Sequence, residues 1–243
     1  MKCKVLGIDK KDNNLKRILK TMSLIPNGVK TILDVGCKEG VLINQLHHKG
    51  YDCTGIDIDK ESLKKVKCKK KVMDSTNLDF KDKSFDIVIC CEVLEHLDNV
   101  ALSKTLSEIQ RVSKDFILIT TPYKEDLRSN FTKCTHCLST YNIYNHMRSF
   151  NEKSFKHLFS LFSLKKANGF VSTKKQNYFE RFLKFNLGGS FISSSTSVCP
   201  ICKKKSDYKA KFNLFSILSN LSYKILPHKK SYFWLYGLFE RSL

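Results

Sequence analysis

Hydrophobic and polar positions along the chain switch between a helical and a strand period. Leu15, Ile18, Leu19 and Met22 recur at helical spacing, so Asn13 to Met22 reads as a short amphipathic helix. Pro26-Asn27-Gly28 marks a turn. Thr31 to Val35 then reads as a strand, Val41 to His48 as a helix closed by Gly50, and Asp52 to Ile56 as a second strand. A helix from Lys60 to Lys67 and a short strand at Val72-Met73, ending at Asp74-Ser75, are expected next. Phe85 to Cys90 is an almost unbroken apolar run, as a central strand covered on both faces requires. Val100 to Val112 continues as a helix, and Phe116 to Thr121 as a fifth strand stopped by Pro122. Strands alternating with helices predict an α/β fold: a mostly parallel sheet with right-handed crossovers and helices on both faces.

The pattern changes after Pro122. Tyr123 to Ser149 is polar and aromatic, and reads as an inserted loop or lid. Asn151 to Phe162 is expected to be a capped helix with Phe155, Leu158, Phe159 and Phe162 on one face. From Lys174 the signal thins: Leu187 to Ser197 is rich in Gly and Ser, and Phe212 to Leu226 is apolar and helical. Ser231 to Phe239 fits either a final edge strand or an aromatic interfacial helix able to touch a membrane surface. These boundaries divide the chain into an N-terminal helical segment (1–27), a core (28–122), a lid with the following helix and strand (123–173) and a C-terminal region (174–243).

Candidate chemistry concentrates at two strand ends. Thr31 to Gly40 reads T-I-L-D-V-G-C-K-E-G, and G-I-D-I-D closes the second strand at Asp59. Asp57 follows Gly36 at the roughly 20-residue offset at which a carboxylate meets a nucleotide ribose in a Rossmann-like βαβ unit. A dinucleotide fold asks for G-x-G-x-x-G, because a pyrophosphate must approach the backbone at a helix N-terminus. Here Cys37-Lys38-Glu39 separate Gly36 from Gly40, which argues against an NAD-dependent oxidoreductase. Asp34 suits an ammonium, Asp57 two ribose hydroxyls, and Asp74-Ser75 an adenine amino group.

D-V-G-C-x-x-G, G-I-D-I-D, the acid after the third strand and F-D-I-V-I-C-C-E-V-L-E-H-L together resemble the class I S-adenosylmethionine-dependent methyltransferases. The likeness runs from about Thr31 to Pro122 and extends more weakly through Gly169. It implies that Asp34, Gly36, Cys37 and Gly40 line the methionine end, that Asp57 and Ile58 hold the ribose, and that Asp74 and Ser75 flank the adenine. Cys91 and Glu92 would close the pocket. The family usually carries glycine where Lys38 stands. Methyl transfer from a sulfonium needs chiefly alignment, and a base only where the acceptor must lose a proton. His96 and His146 are the catalytic candidates, with Glu92 a further one and Tyr123 and Arg148 substrate-side residues.

Ten cysteines sharpen the picture. Cys3, Cys37, Cys53, Cys68, Cys90 and Cys91 are scattered as small hydrophobes would be. Cys134-Thr-His-Cys137 and Cys199-Pro-Ile-Cys202 each have the spacing of a zinc knuckle. One structural Zn²⁺ held by all four would staple a small lid and C-terminal subdomain, with His136 or His146 as alternative ligands. A charged stretch over Met1–Asp12, without an apolar core, argues against a signal peptide and for a cytoplasmic location. No apolar run is long enough to span a bilayer. The net charge of +20 favours anionic partners, though a lysine-rich composition yields the same number. The acceptor is expected to be a small-molecule, carrier-linked or surface-glycan metabolite. RNA is the alternative, and a zinc-stapled binding module without catalysis a third reading.

Overall fold

A computed structural model of the chain describes residues 13–175, 178–187, 191–195, 197–209, 213–227 and 229–242. The readings made on Cys3, on the stretch Met1–Asp12, on Gly188 to Ser190 and on Phe212 fall outside these residues. The chain forms two compact units, Met1–Pro122 with Phe150–Val171 and Phe233–Leu243, and Tyr123–Ser149 with Ser172–Tyr232.

In the first unit, helix α1 (Asn13–Met22) precedes β1 (Thr31–Val35), α2 (Val41–His48) and β2 (Asp52–Asp57). Then come β3 (Lys69–Val72), β4 (Phe85–Cys91), α3 (Asn99–Val112) and β5 (Ser113–Pro122). The hairpin strands β6 (Phe131–Lys133) and β7 (Thr140–Asn142) follow in the second unit, and the single turn α4 (Glu152–Phe155) in the first. The remaining elements are β8 (Phe162–Lys175), α5 (Tyr178–Phe182), α6 (Leu214–Ile225) and β9 (Lys229–Arg241). Seven strands make one sheet in the order β3-β2-β1-β4-β5-β9-β8. Strands β1 to β5 are parallel, and β9 runs antiparallel to β5, from Phe116 opposite Glu240 to Pro122 opposite Trp234. Ile32, Ile87, Ile89 and Leu118 bury one sheet face together with Ile18 of α1 and Leu42, Ile43 and Leu46 of α2. Their neighbours Leu33, Val88, Ile117 and Ile119, equally buried, point the other way, and α3 packs on β4 and β5.

Several expectations change. The helix expected from Lys60 to Lys67 is only a 3₁₀ turn over Ser62–Lys65. Asp59 captures the Glu61 N–H and the Ser62 hydroxyl, at 3.0 and 2.6 Å, and such local bonds compete with a helix. The third strand lies earlier than Val72-Met73, over exposed Lys69, Lys70, Lys71 and Val72. Lysine suits the outer edge of a sheet but carries no apolar alternation. The helix expected over Asn151 to Phe162 ends after one turn, capped by Asn151 and Ser154. Gln110 accepts the Ser160 and Leu161 N–H groups, each at 2.9 Å, and Phe162 already starts β8. The segment Ser231 to Phe239 is a strand, and an interior one between β5 and β8, neither an edge nor an interfacial helix. Leu235, Tyr236 and Phe239 are buried in it.

Gly237 shows how tightly β9 is packed. A Cβ there would lie 2.5 Å from Phe155 Cδ2 and 2.9 Å from Phe239 Cε2. Neither ring has room to yield, since Phe159 stands edge-on to Phe239 with centroids 4.8 Å apart. Gly237→Ala should therefore destabilise the protein by about 1–3 kcal/mol through overpacking, read as a fall in the urea midpoint; an unchanged midpoint would show that this core can give way.

Candidate functional site

The C-terminal ends of β1, β2 and β4 open onto two adjoining clefts of about 300 and 270 Å³, which share Gly36, Lys38 and Glu92. The first is lined by Asp57, Ile58, Met73, Asp74, Ser75 and His96, among others. The second is lined by Arg17, Asp34, Cys37, Glu39 and Cys91. Open parallel sheets place ligand crevices at this edge.

The turn after β1 sets the geometry. Gly36 and Cys37 both donate their N–H to Ile56 O at 2.9 Å, tying the tip of β1 to β2. Gly36 has φ +74°, and a Cβ there would meet Val93 Cγ2 at 2.4 Å, so glycine is required on both grounds. Lys38 also takes a left-handed backbone, φ 46°, which explains why glycine is favoured at this place and why lysine is tolerated only at a cost of roughly 1–2 kcal/mol. Its N–H donates to Asp57 Oδ2 at 2.8 Å, while Asp57 Oδ1 accepts from the Asp59 N–H at 2.9 Å. The Asp57 carboxylate is thus held rigidly at the cleft. Ser75 is fixed by a hydroxyl contact of 2.9 Å to Thr105 of α3. Gly40 lines neither cleft; it caps α2 with φ +75°, close to Val66 and Asn44.

Asp34 is buried, and burial raises its pKa to about 7 against the opposing charge of Arg17, with Asp57 adding to the rise. Burial likewise pushes the Cys91 thiol up to about 12, so it stays protonated. Glu92, in a left-handed conformation at φ 57°, accepts from Thr120 Oγ1 at 3.1 Å and from Trp234 Nε1 at 2.8 Å. Arg17 lies over the Trp234 ring at 5.9 Å, and its buried Nε has no hydrogen-bond partner among the described residues. Sequence reasoning missed Arg17 and Trp234: the first sits outside the motif-bearing stretch, and the second reaches β4 only through the antiparallel pairing of β9.

His96 ends a 3₁₀ turn (Leu94–His96) and lines the first cleft. His146 belongs to the second unit, where its Nδ1 lies 2.6 Å from Glu125 Oε2. Asn130 Nδ2 donates to the other Glu125 oxygen at 2.8 Å. Tyr123 and Arg148 lie in that unit too.

The second unit also gathers Cys134, Cys137, Cys199 and Cys202, with all four sulfurs within 4.8 Å of one another. Sγ–Sγ separations of 3.6 Å join Cys134 to Cys202 and Cys137 to Cys199. The ligand edges of a tetrahedral Zn–S₄ site with bonds of about 2.3 Å are close to this. The two loops are built alike. Leu138 N–H donates to Cys134 O and Lys203 N–H to Cys199 O, at 3.1 and 2.9 Å, and Leu138 and Lys203 both have positive φ. The hairpin β6–β7 presents the first pair, and isolated bridges Ser194–Tyr208 and Val198–Lys205 frame the second. The cluster is compatible with a structural zinc ion.

Comparison with known proteins agrees with this fold. A family described as a methyltransferase domain matches residues 9–166, more than half of the chain, and the chain belongs to it. S-adenosylmethionine is the cofactor of this family. Among curated relatives, an uncharacterised protein of Methanocaldococcus jannaschii is 36% identical over 86 residues, covering 35% of this chain and 36% of that protein. A ubiquinone biosynthesis O-methyltransferase of Rickettsia felis is 36% identical over 77 residues, covering 28% of this chain and 32% of that one. The match thus spans about a third of the length of these relatives. The crystal structure of a SAM-dependent methyltransferase from Archaeoglobus fulgidus shares the fold, with TM-score 0.56 and 16% identity over 94% of this chain and 91% of that one.

The raised Asp34 pKa has a consequence for stability. A carboxyl at about 7 in the folded state, against an ordinary 3.8, holds its proton more tightly when folded. Its stabilisation is complete below 3.8 and is lost as pH rises through about 7. Asp34→Asn should flatten that decline and stabilise the ligand-free protein at pH 8 by on the order of 1–4 kcal/mol, measured as melting temperature against pH. Identical pH profiles in variant and wild type would show that another group is responsible.

Proposed function

We propose that this chain is an S-adenosylmethionine-dependent methyltransferase of the cytoplasm, acting on a small-molecule, carrier-linked or surface-glycan acceptor. The names of the ubiquinone-biosynthesis relatives point to oxygen as the atom methylated. The observation that carries this reading is Asp57: an acceptor-only carboxylate at the tip of β2, held by two backbone N–H groups in the cleft that also holds Asp74 and Ser75.

The donor set fits the cofactor from end to end. Asp57 and Ile58 would hold the ribose, and Asp74 and Ser75 would flank the adenine. In the second cleft Asp34 offers a carboxylate to an ammonium, and the Arg17 guanidinium, which also lines it, offers its charge to a carboxylate. These are the two charges of an amino acid. Gly36, Cys37 and Gly40 shape the bend beside it, and Cys91 and Glu92 close the pocket. Bound, the cofactor supplies a methyl group already activated on sulfur. The protein then contributes mainly position and exclusion of water. His96, in the first cleft, is the residue assigned to take a proton from the acceptor, and His146, paired with Glu125, is the second candidate.

S-adenosylhomocysteine should raise the melting temperature while NAD should not. Asp57→Ala should weaken S-adenosylhomocysteine by about 1.5–3 kcal/mol, the scale of a lost hydrogen bond to a charged group. Calorimetry showing unchanged affinity would remove Asp57 from the ribose site.

The four-cysteine cluster is assigned to one structural zinc. It would join two sequence-distant loops and so favour the folded second unit. Metal analysis should find one zinc per chain, and Cys134→Ser should lose it and lower the melting temperature. A metal-free wild type with the same melting temperature would count against the site.

A further inference from the structure

Helix α6 is built inside out for a water-exposed surface. Leu214, Ile217, Leu218, Leu221 and Ile225 share one stripe at i, i+3, i+4, i+7 and i+11. Each is between 40% and 71% exposed. On the opposite face Ser216 and Ser219 are buried, at 7% and 1% exposure. Ser216 closes the capping box with Asn213, and the Ser219 hydroxyl donates to Glu180 O of α5 at 3.0 Å. The inward face is therefore committed to polar contacts within the second unit, and rotating the helix to hide its leucines would break them. α5 packs on α6 and adds Tyr178 and Phe179, 82% and 54% exposed. An exposed apolar stripe of this kind marks an interaction site.

Charge identifies the partner. The second unit carries sixteen Lys and Arg against four Asp and Glu, and so twelve of the twenty net positive charges. Exposed Lys224 borders the apolar stripe. An apolar stripe with aromatic neighbours on a strongly basic unit has the make-up of a helix that lies in the plane of a membrane interface, its leucines in the acyl boundary and its lysines among anionic headgroups. We infer that α6, with α5, docks the second unit onto anionic lipid bilayers. No helix among the described residues is long and apolar enough to cross a membrane, so the contact is peripheral. The inference does not depend on the cofactor reading.

The test is flotation of the full chain with vesicles of phosphatidylcholine alone or with about one-third phosphatidylglycerol, at low and high salt. Wild type should float with the anionic vesicles, less so as salt rises. Ile217→Glu combined with Leu221→Glu should weaken binding by roughly tenfold or more. Both positions are exposed, so the melting temperature and its rise with S-adenosylhomocysteine should persist, which separates failure here from failure of the cofactor assignment. No flotation of wild type would overturn the inference. So would vesicle binding that the double variant retains in full, or a salt-sensitive RNA complex formed in its place. A wild-type dimer that the double variant converts to monomer, without vesicle binding, would assign the face to a second copy of the chain instead.

Discussion

The first unit depends on the turn in which Gly36 and Cys37 both donate to Ile56 O. This bifurcated clamp sets the tips of β1 and β2 side by side, and the left-handed backbone of Gly36 brings the chain against Val93 with no room for a side chain. One residue later, Lys38 turns its N–H onto Asp57. The cleft carboxylate is thus oriented by main chain alone, whose geometry does not vary with side-chain rotamer. Lys38 and Glu92, both at positive φ, place backbone strain where the clefts open, as strain at functional sites commonly is placed.

Around that clamp the sheet divides its work. β1, β2 and β4 supply the cleft, and their interior residues are nearly all apolar and buried. Asp34 is the buried acid among them, a carboxyl taken into the core whose pKa burial raises to about 7. β9 contributes from the far side of β5. Its Trp234 reaches Glu92 and stacks with Phe170, with centroids 5.8 Å apart. The last strand of the first unit therefore braces the loop after β4.

The second unit rests on a different principle. Its hairpin is short, its bridges are isolated, and two of its helices turn apolar side chains outward. Among the described residues this unit's apolar core cluster is small, Cys134, Tyr141 and Cys199 with Cys202, which suits a metal staple, and the matched knuckles of the cysteine pairs provide the geometry for one. The same scarcity of inward apolar residues leaves α6 available to a surface.

Sequence alone determined the parallel sheet up to Pro122 and the helices α1, α2 and α3, though not the turn that replaces the helix expected from Lys60 to Lys67, because central strands must be continuously apolar and crossover helices must be amphipathic. It also marked the glycine turn, the strand-end acids and the paired cysteines, whose chemistry depends on short spacings. It misplaced β3, expected at Val72-Met73 and found over Lys69–Val72, because lysines on an edge strand carry no apolar pattern, and it missed the one-turn length of α4, which Gln110 sets from fifty residues away. Tertiary structure decided the rest. Only the antiparallel insertion of β9 makes the final aromatic segment an interior strand, and only folding brings Arg17 and Trp234 beside Asp34 and Glu92. The orientation of α6 was equally illegible, since its period shows that one face is apolar but not which way that face points: the buried serines, through their contacts with Asn213 and Glu180, turn the leucines outward.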